Sequence, residues 1–220
     1  MPEFDRALLD SVDDMLRKRY SDRLARFGDD PRALGWDTAE NQRRRFAVAL
    51  DTLDFAGRSV TDIGCGLADF RTFLETRGAG AGYLGIDINP DLIARCRVRH
   101  PDARFRQGNI LTDRIEDADS DIVVMFGVLN IRFREFDNRV FARAMIAAAF
   151  GLCRQALVVD MLTERRDEAY PREDFVHYYD PRDMLGYALE LTPHVTLRHD
   201  YASIPQRELM LVLRRTPCGS

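Results

Sequence analysis

Three clusters of residues in this chain have the types and spacing to do chemistry. The first is Asp62-Ile-Gly-Cys-Gly-Leu-Ala68, at the end of the short apolar run Ser59 to Ile63. Glycines at 64 and 66 allow a tight turn and a close backbone approach to a ligand. The helix expected to follow offers unpaired amides to a polar group. The same turn also serves simply to reverse a strand into a helix. A dinucleotide-binding turn needs Gly or Ala at the last position of Gly-x-Gly-x-x-Gly, and here that position is Asp69, which argues against a nicotinamide oxidoreductase. Asp62, two residues before the first glycine, suits a cationic ligand better than a pyrophosphate.

The second cluster is Gly85-Ile-Asp87-Ile-Asn89. A carboxylate at a strand tip can accept both hydroxyls of a ribose, or it can cap the next helix. The third is an aromatic stretch with Tyr170, Phe175, His177, Tyr178, Tyr179 and Asp180. Aromatic faces attract cations by about 0.5–2 kcal/mol each, and His177 titrates near neutrality when unperturbed. Phe175, Tyr178 and Tyr179 would equally pack the start of a helix at Pro181. His199-Asp200-Tyr201 is placed to border the same pocket.

The elements that position these clusters follow from periodicity. Leu8, Leu9, Val12, Met15 and Leu16 recur at helical spacing, and Thr38 has the chemistry to cap a helix reaching about Leu53, with Phe46, Leu50 and Leu53 on one face. From Ser59 the pattern alternates. Strands are expected at 59–63, 83–88, 103–107, 121–126 and 156–161, with helices at 68–76, from Pro90, at 136–150 and at 181–189. Val195 to Arg198 and Leu209 to Leu213 form a closing strand pair. Strands alternating with helices predict an α/β fold, a Rossmann-like parallel sheet covered on both faces. Residues 1–55 alternate Leu and Val stripes with Arg and Asp and are too polar for a core of their own. They are expected to lay one apolar face on the 56–220 domain as an N-terminal helical cap.

Composition narrows the classes. With 32 Lys and Arg against 36 Asp and Glu, the net charge is −4. Nucleic-acid binding rests on neutralising phosphates, so no nucleic-acid partner is expected. Lys18 is the single lysine, an arginine skew characteristic of a GC-rich bacterial gene. Cys65, Cys96, Cys153 and Cys218 are far apart, with no Cys-x-x-Cys pair, so neither a zinc site nor a disulfide framework is expected. The start Met-Pro-Glu-Phe-Asp-Arg lacks a signal peptide's basic then apolar pattern. No apolar run approaches the roughly 18 residues of a membrane span. The expectation is a soluble, cytoplasmic, bacterial protein with no metal and no membrane partner, a monomer or a homodimer.

Taken together, Asp62-Ile-Gly-Cys-Gly-Leu-Ala68, Gly85-Ile-Asp87, Phe105-Arg-Gln-Gly-Asn109 and Asp121-Ile-Val-Val-Met-Phe-Gly127 resemble the class I S-adenosylmethionine (SAM) methyltransferases in order and spacing, over roughly residues 58–215. The resemblance implies a seven-stranded, mostly parallel sheet whose last strand is antiparallel. It implies that Asp62, Gly64, Cys65 and Gly66 hold the methionine part of the cofactor, Asp87 the ribose, and Ile88, Asn109 and Ile110 the adenine, with Phe126 and Gly127 beside the reacting end. Two positions depart from the family: Ala68 replaces the third loop glycine, and Asn109 stands where an Asp is usual, though an Asn oxygen still accepts from an adenine amino group. Phe27-Gly28, Gly35-Trp36, Gln42 and Arg45-Phe46 resemble the cap of a bacterial small-molecule subgroup, which folds over the cofactor. That implies inward roles for Tyr20, Trp36 and Arg45, the last offering a planar fork to the cofactor's carboxylate. Trp36 would otherwise fix the cap as a core residue, and Arg45 would belong to a solvated face with Arg43 and Arg44.

The tip Phe126-Gly-Val-Leu-Asn130 has neither the Pro-Pro-Tyr of base-amino enzymes nor the Pro-Cys of cytosine C5 enzymes. Only Glu135 is near where arginine methyltransferases carry paired glutamates, and no catechol-type acid cluster can be assembled. A small-molecule acceptor remains, methylated at nitrogen or oxygen in secondary metabolism, with Asn130, His177, Tyr178 and Tyr179 as candidates to orient or deprotonate it. Two alternatives carry over from the same resemblance: cyclisation of SAM itself to azetidine-2-carboxylate and methylthioadenosine, and a non-catalytic SAM-binding regulatory subunit.

Overall fold

The apolar runs become strands and the amphipathic runs cover them, in a computed structural model that describes residues 5–80, 82–165, 172–203 and 206–217. Tyr170 and Cys218 lie outside the described residues. Strands β1 (Ser59–Ile63), β2 (Gly82–Asp87), β3 (Arg104–Gln107), β4 (Ser120–Met125) and β5 (Cys153–Leu162) pair in parallel. β6 (Val195–Arg198) and β8 (Gln206–Arg214) complete the path β3-β2-β1-β4-β5-β8-β6, in which β8 runs antiparallel to both neighbours. This is the expected seven-stranded sheet. A two-residue strand that the sequence did not show, β7 (Ala202–Ser203), pairs with β8 off that path. Strand order reverses between β1 and β4, so the crevice for a ligand opens beyond their carboxyl ends.

The helices start where cap chemistry puts them. In α1 (Arg6–Phe27) the Asp5 carboxylate accepts from the Ala7 amide, and in α2 (Ala39–Thr52) Thr38 Oγ1 accepts from Asn41 N at 3.1 Å. Helix α3 (Asp69–Thr76) begins one residue later than expected because Ala68 holds a left-handed backbone at φ 59°. Asn89 caps α4 (Pro90–Arg99), its side-chain oxygen accepting from Asp91 N and Leu92 N, and Asp180 caps α6 (Pro181–Leu191). Between them lies α5 (Asn138–Leu152).

Each sheet face has its own core. Under α5 and α6 lie Met125, Leu157, Val159 and Leu211, joined by Leu9 and Val12 from α1. On the other face Phe46, Val48 and Ala49 of α2 pack with Phe70, Phe73 and Phe126, and the Phe46 and Phe126 rings are 5.0 Å apart. The N-terminal segment thus contributes to both cores. One detail of its expected stripe is corrected: Met15 is 43% exposed, while Asp13, a charged residue, is only 6% exposed. The buried face of α1 runs Leu9, Val12, Asp13, Leu16, Tyr20, one step round from the expected stripe.

Candidate active site

A cavity of about 400 Å³ lies beyond the tips of β1, β2 and β4, beneath α1 and the short 3-10 turn Pro31–Leu34. That is within the roughly 300–1,000 Å³ usual for small-molecule sites. Of the expected residues, Tyr20, Trp36, Arg45, Gly64, Gly66, Asp87, Ile88, Asn109, Ile110, Phe126, Gly127 and Asn130 line it.

The glycine turn is shaped by its neighbours. Gly64 N and Cys65 N both donate to Ile86 O, at 2.8 and 3.1 Å, which binds the turn to β2. A Cβ on Gly64 would fall 2.6 Å from Val128, and one on Gly66 would fall 2.6 Å from Leu34 of the cap. Gly66 is also at φ 56°, where an L side chain is strained, so the cap closes only onto glycine there. Asp87 joins this turn to α4: Oδ2 accepts from Gly66 N at 3.0 Å and Oδ1 from Asn89 N at 2.9 Å. Burial raises the Asp87 carboxyl to about 6, against the lowering effect of those amides. Its oxygens keep lone pairs toward the cavity.

Several expected roles are corrected. Asp62 is 3% exposed and does not reach the cavity, because its carboxylate accepts from Tyr83 Oη at 2.6 Å. Cys65 turns away too, its Sγ facing Gly85 across the β1–β2 pair. Arg45 does not await a carboxylate: it is ion-paired with Asp160, at 3.2 Å, and with Glu208, and its guanidinium lies 4.2 Å from the Trp36 ring centroid. Asn109 Oδ1 already accepts from Leu111 N at 2.9 Å, while its Nδ2 donates to Asp13 at 3.0 Å. The carboxylate at this end of the cavity therefore comes from α1.

His177, Tyr178 and Tyr179 fall elsewhere. Ile131 bridges to Val176 and Thr163 to Tyr179, which turns Phe175 and Val176 toward the cavity. His177 and Tyr178 line a second, neighbouring cavity with Asp137 and Glu164. Burial lowers the His177 imidazole below its usual range despite Asp137 nearby. Tyr179 is 1% exposed and donates from Oη to Leu129 O at 2.8 Å, a core contact. His199 faces Thr163 Oγ1 at 3.0 Å, away from the lining.

Sequence reasoning missed Asp13, Leu16 and Arg19 of α1, and Phe133, Phe141, Met145 and Leu162, which extend the cavity as an apolar chamber. The helical spacing 9, 12, 13, 16, 20 carried the signal for Asp13. Nothing local marked the chamber, because its residues come from three separate segments. Among the described residues, no group of three or more His, Cys, Asp or Glu is placed to hold a metal ion.

Residues 60–149 match the methyltransferase-domain family. A protein of Mycobacterium tuberculosis named as a methyltransferase is 28% identical over 146 residues, 65% of this chain and 86% of that one. Two solved structures share the fold. Magnesium protoporphyrin IX methyltransferase from Synechocystis with bound SAM has TM-score 0.64 at 16% identity, covering 96% of this chain and 99% of that one. Phosphoethanolamine N-methyltransferase from Haemonchus contortus, in complex with phosphoethanolamine and S-adenosylhomocysteine, has TM-score 0.67 at 15% identity, covering 99% and 51%. The sheet order, the glycine turn with Asp87 at the next strand tip, and this domain define a class I SAM-dependent methyltransferase. The enzyme class is therefore SAM-dependent methyl transfer, with SAM as the cofactor.

The residues fit that cofactor: a carboxylate, Asp87, for hydroxyls; the apolar side chains of Ile88 and Ile110 for a flat ring; and the Gly64–Gly66 turn beneath Leu34, with Trp36 over Gly127. When bound, SAM supplies a methyl group activated on a sulfonium sulfur. The cleft's own residues bind, orient and exclude water.

Two outcomes are expected here. Asp62, raised by burial to about 7, has a folded-state value above its unfolded one. Its contribution to stability is therefore complete below about pH 4 and lost as pH rises toward about 7. Asp62→Asn keeps an acceptor for Tyr83 and should be more stable than the parent at pH 8, with the gap closing at pH 4. Equal melting temperatures at both pH values would contradict the buried acid. In the cap, α2 is anchored by Phe46 and Arg45, while α1 rests on α4 through Asn89 Nδ2 to Arg17 O at 2.8 Å and Ser21 Oγ to Asp91 at 2.6 Å. Hydrogen exchange with and without S-adenosylhomocysteine should therefore show protection gained over 15–36 and little change over 39–52. No change over 15–36 would make the extension a fixed structural element.

Proposed function

We propose that this methyltransferase acts in the cytoplasm on a small metabolite, at oxygen or nitrogen. The observation that carries this reading is the roofed cavity: α1 and the Pro31–Leu34 turn cover the cofactor half, and an apolar chamber continues from it under the same roof. A covered chamber suits a compact acceptor and excludes the backbone of a macromolecule. Alignment of donor and acceptor in such a site supplies roughly 7–11 kcal/mol in favourable cases.

The experiment is transfer from methyl-labelled SAM into a fractionated bacterial extract. Label is expected in the small-molecule fraction. Label confined to RNA or protein overturns the reading, and methylthioadenosine formed from SAM alone would replace it with cyclisation.

A further inference from the structure

We infer that the acceptor is an apolar carboxylic acid, held through its carboxylate by Arg19 and Asn130 and methylated on oxygen. This rests on the methyl-transfer reading above and names its substrate class. The body of the chamber is hydrocarbon, from Leu16, Phe133, Phe141, Met145, Leu162 and Val176. Two donors without partners face it. The Arg19 guanidinium makes no hydrogen bond or ion pair among the described residues, its Nε is buried without a partner, and it lies 5.3 Å from the centroid of the Phe175 ring. Asn130 Oδ1 accepts from Leu162 N at 3.1 Å, which fixes the amide so that Nδ2 faces the cavity beside Gly127. A half-buried guanidinium is stable beside a carboxylate, to which it offers a planar fork.

Arg19 belongs to the acceptor side. Tyr20, the next residue on α1, packs with Leu67 and Leu92 toward the glycine turn and α4. Arg19 points the other way, to the Phe175–Val176 segment that pairs with Ile131 after β4.

The lining holds few groups suited to deprotonating a neutral acceptor. Among its described residues there is no His, Lys or Cys. Burial holds the Tyr20 phenol above its usual range. Asp13 is bonded to Asn109, and Asp87 to two amides. A carboxylic acid needs no base, because it is ionised well below neutrality, near pKa ~4. In the transfer one carboxylate oxygen gives a lone pair to a new O–CH3 bond as the C–S bond breaks and its electron pair returns to sulfur. An anion and a cation become a neutral ester and a neutral thioether, and no proton moves. Glu173, which borders both cavities, is the residue that would instead favour an amine.

The test uses 3-phenylpropionate and octanoate, their amides, and the matching amines, titrated into protein saturated with S-adenosylhomocysteine. Trp36, the only tryptophan and a lining residue, reports binding by fluorescence. The acids are expected to bind at least about tenfold tighter than the amides, and Arg19→Gln to erase that margin, while Arg19→Lys keeps part of it and the S-adenosylhomocysteine affinity stays within about twofold. With SAM, the acids should yield base-labile methyl esters. Tighter binding of the amines, abolished in Glu173→Gln, overturns the inference. So does failure of both acids to bind, or a loss of S-adenosylhomocysteine affinity in Arg19→Gln equal to the loss for the acid, which would assign Arg19 to the cofactor. Absence of S-adenosylhomocysteine binding by the parent protein is a separate result, and it brings down the methyl-transfer reading as well.

Discussion

Asp87→Ala is expected to raise the dissociation constant for S-adenosylhomocysteine by at least about a hundredfold, since each hydrogen bond to a charged group contributes about 1.5–3 kcal/mol and two hydroxyl contacts are removed. The substitution does more than delete an acceptor. Gly66 N and Asn89 N lose the carboxylate that holds the glycine turn against the start of α4. The cleft then loses its shape as well as its ribose partner. Asp87→Asn keeps one acceptor oxygen and should fall between the two. The pH dependence has a definite sign. Because burial lifts Asp87 to about 6, the ionised acceptor is lost as pH falls through that value, and binding should weaken below pH 6 in the parent but not in Asp87→Asn. Stability of the ligand-free protein runs the opposite way, since a raised carboxyl contributes stability that is lost as pH rises from about 4 to about 6. Calorimetry showing Asp87→Ala within threefold of the parent would remove Asp87 from the site.

Arg45→Met should cost about 3–5 kcal/mol of stability, because it leaves two carboxylates buried without their cation. Asp160 is 1% exposed and Glu208 is fully buried, and both pair with the same guanidinium. Burial already lifts the Asp160 carboxyl, and removing Arg45 takes away the main opposing effect. At about 2–4 °C per kcal/mol for a chain of this size, the melting temperature should fall by about 6–20 °C. Adding Asp160→Asn and Glu208→Gln should restore most of it, since the cost lies in unpaired charge rather than lost volume. The Trp36 ring, which rests on the guanidinium, should change its fluorescence in step. A fall of less than about 2 °C would mean that the three charges do not form a coupled buried unit.

How much of this was legible in the chain differs from residue to residue. The fold was legible because strands and helices announce themselves by local periodicity, and β1 to β5 lie within a few residues of their expected bounds. The glycine turn and Asp87 were legible for a related reason: each sits at the end of a strand, where the parallel topology alone puts it beside the cleft. Thr38 was legible as a cap, and Asn89 and Asp180, not read as caps, also cap their helices through short-range bonds.

What only the tertiary structure decided is which partner a charged or aromatic side chain meets across the chain. Arg45 lies 115 residues from Asp160 by numbering, and no local pattern shows that β5 and β8 both aim a carboxylate at it. Asp13 reads as one more polar residue of an exposed helix until Asn109, 96 positions away, receives it. His177, Tyr178 and Tyr179 have the chemistry of a site, but two isolated bridges set which way that segment faces, and they send Tyr179 into the core. Sequence by itself determined the elements, the sheet and the glycine turn at the cleft, because those depend on near neighbours. Long-range packing alone chose the cavity's charges, since a buried ion or donor is defined by what surrounds it and not by what precedes it in the chain.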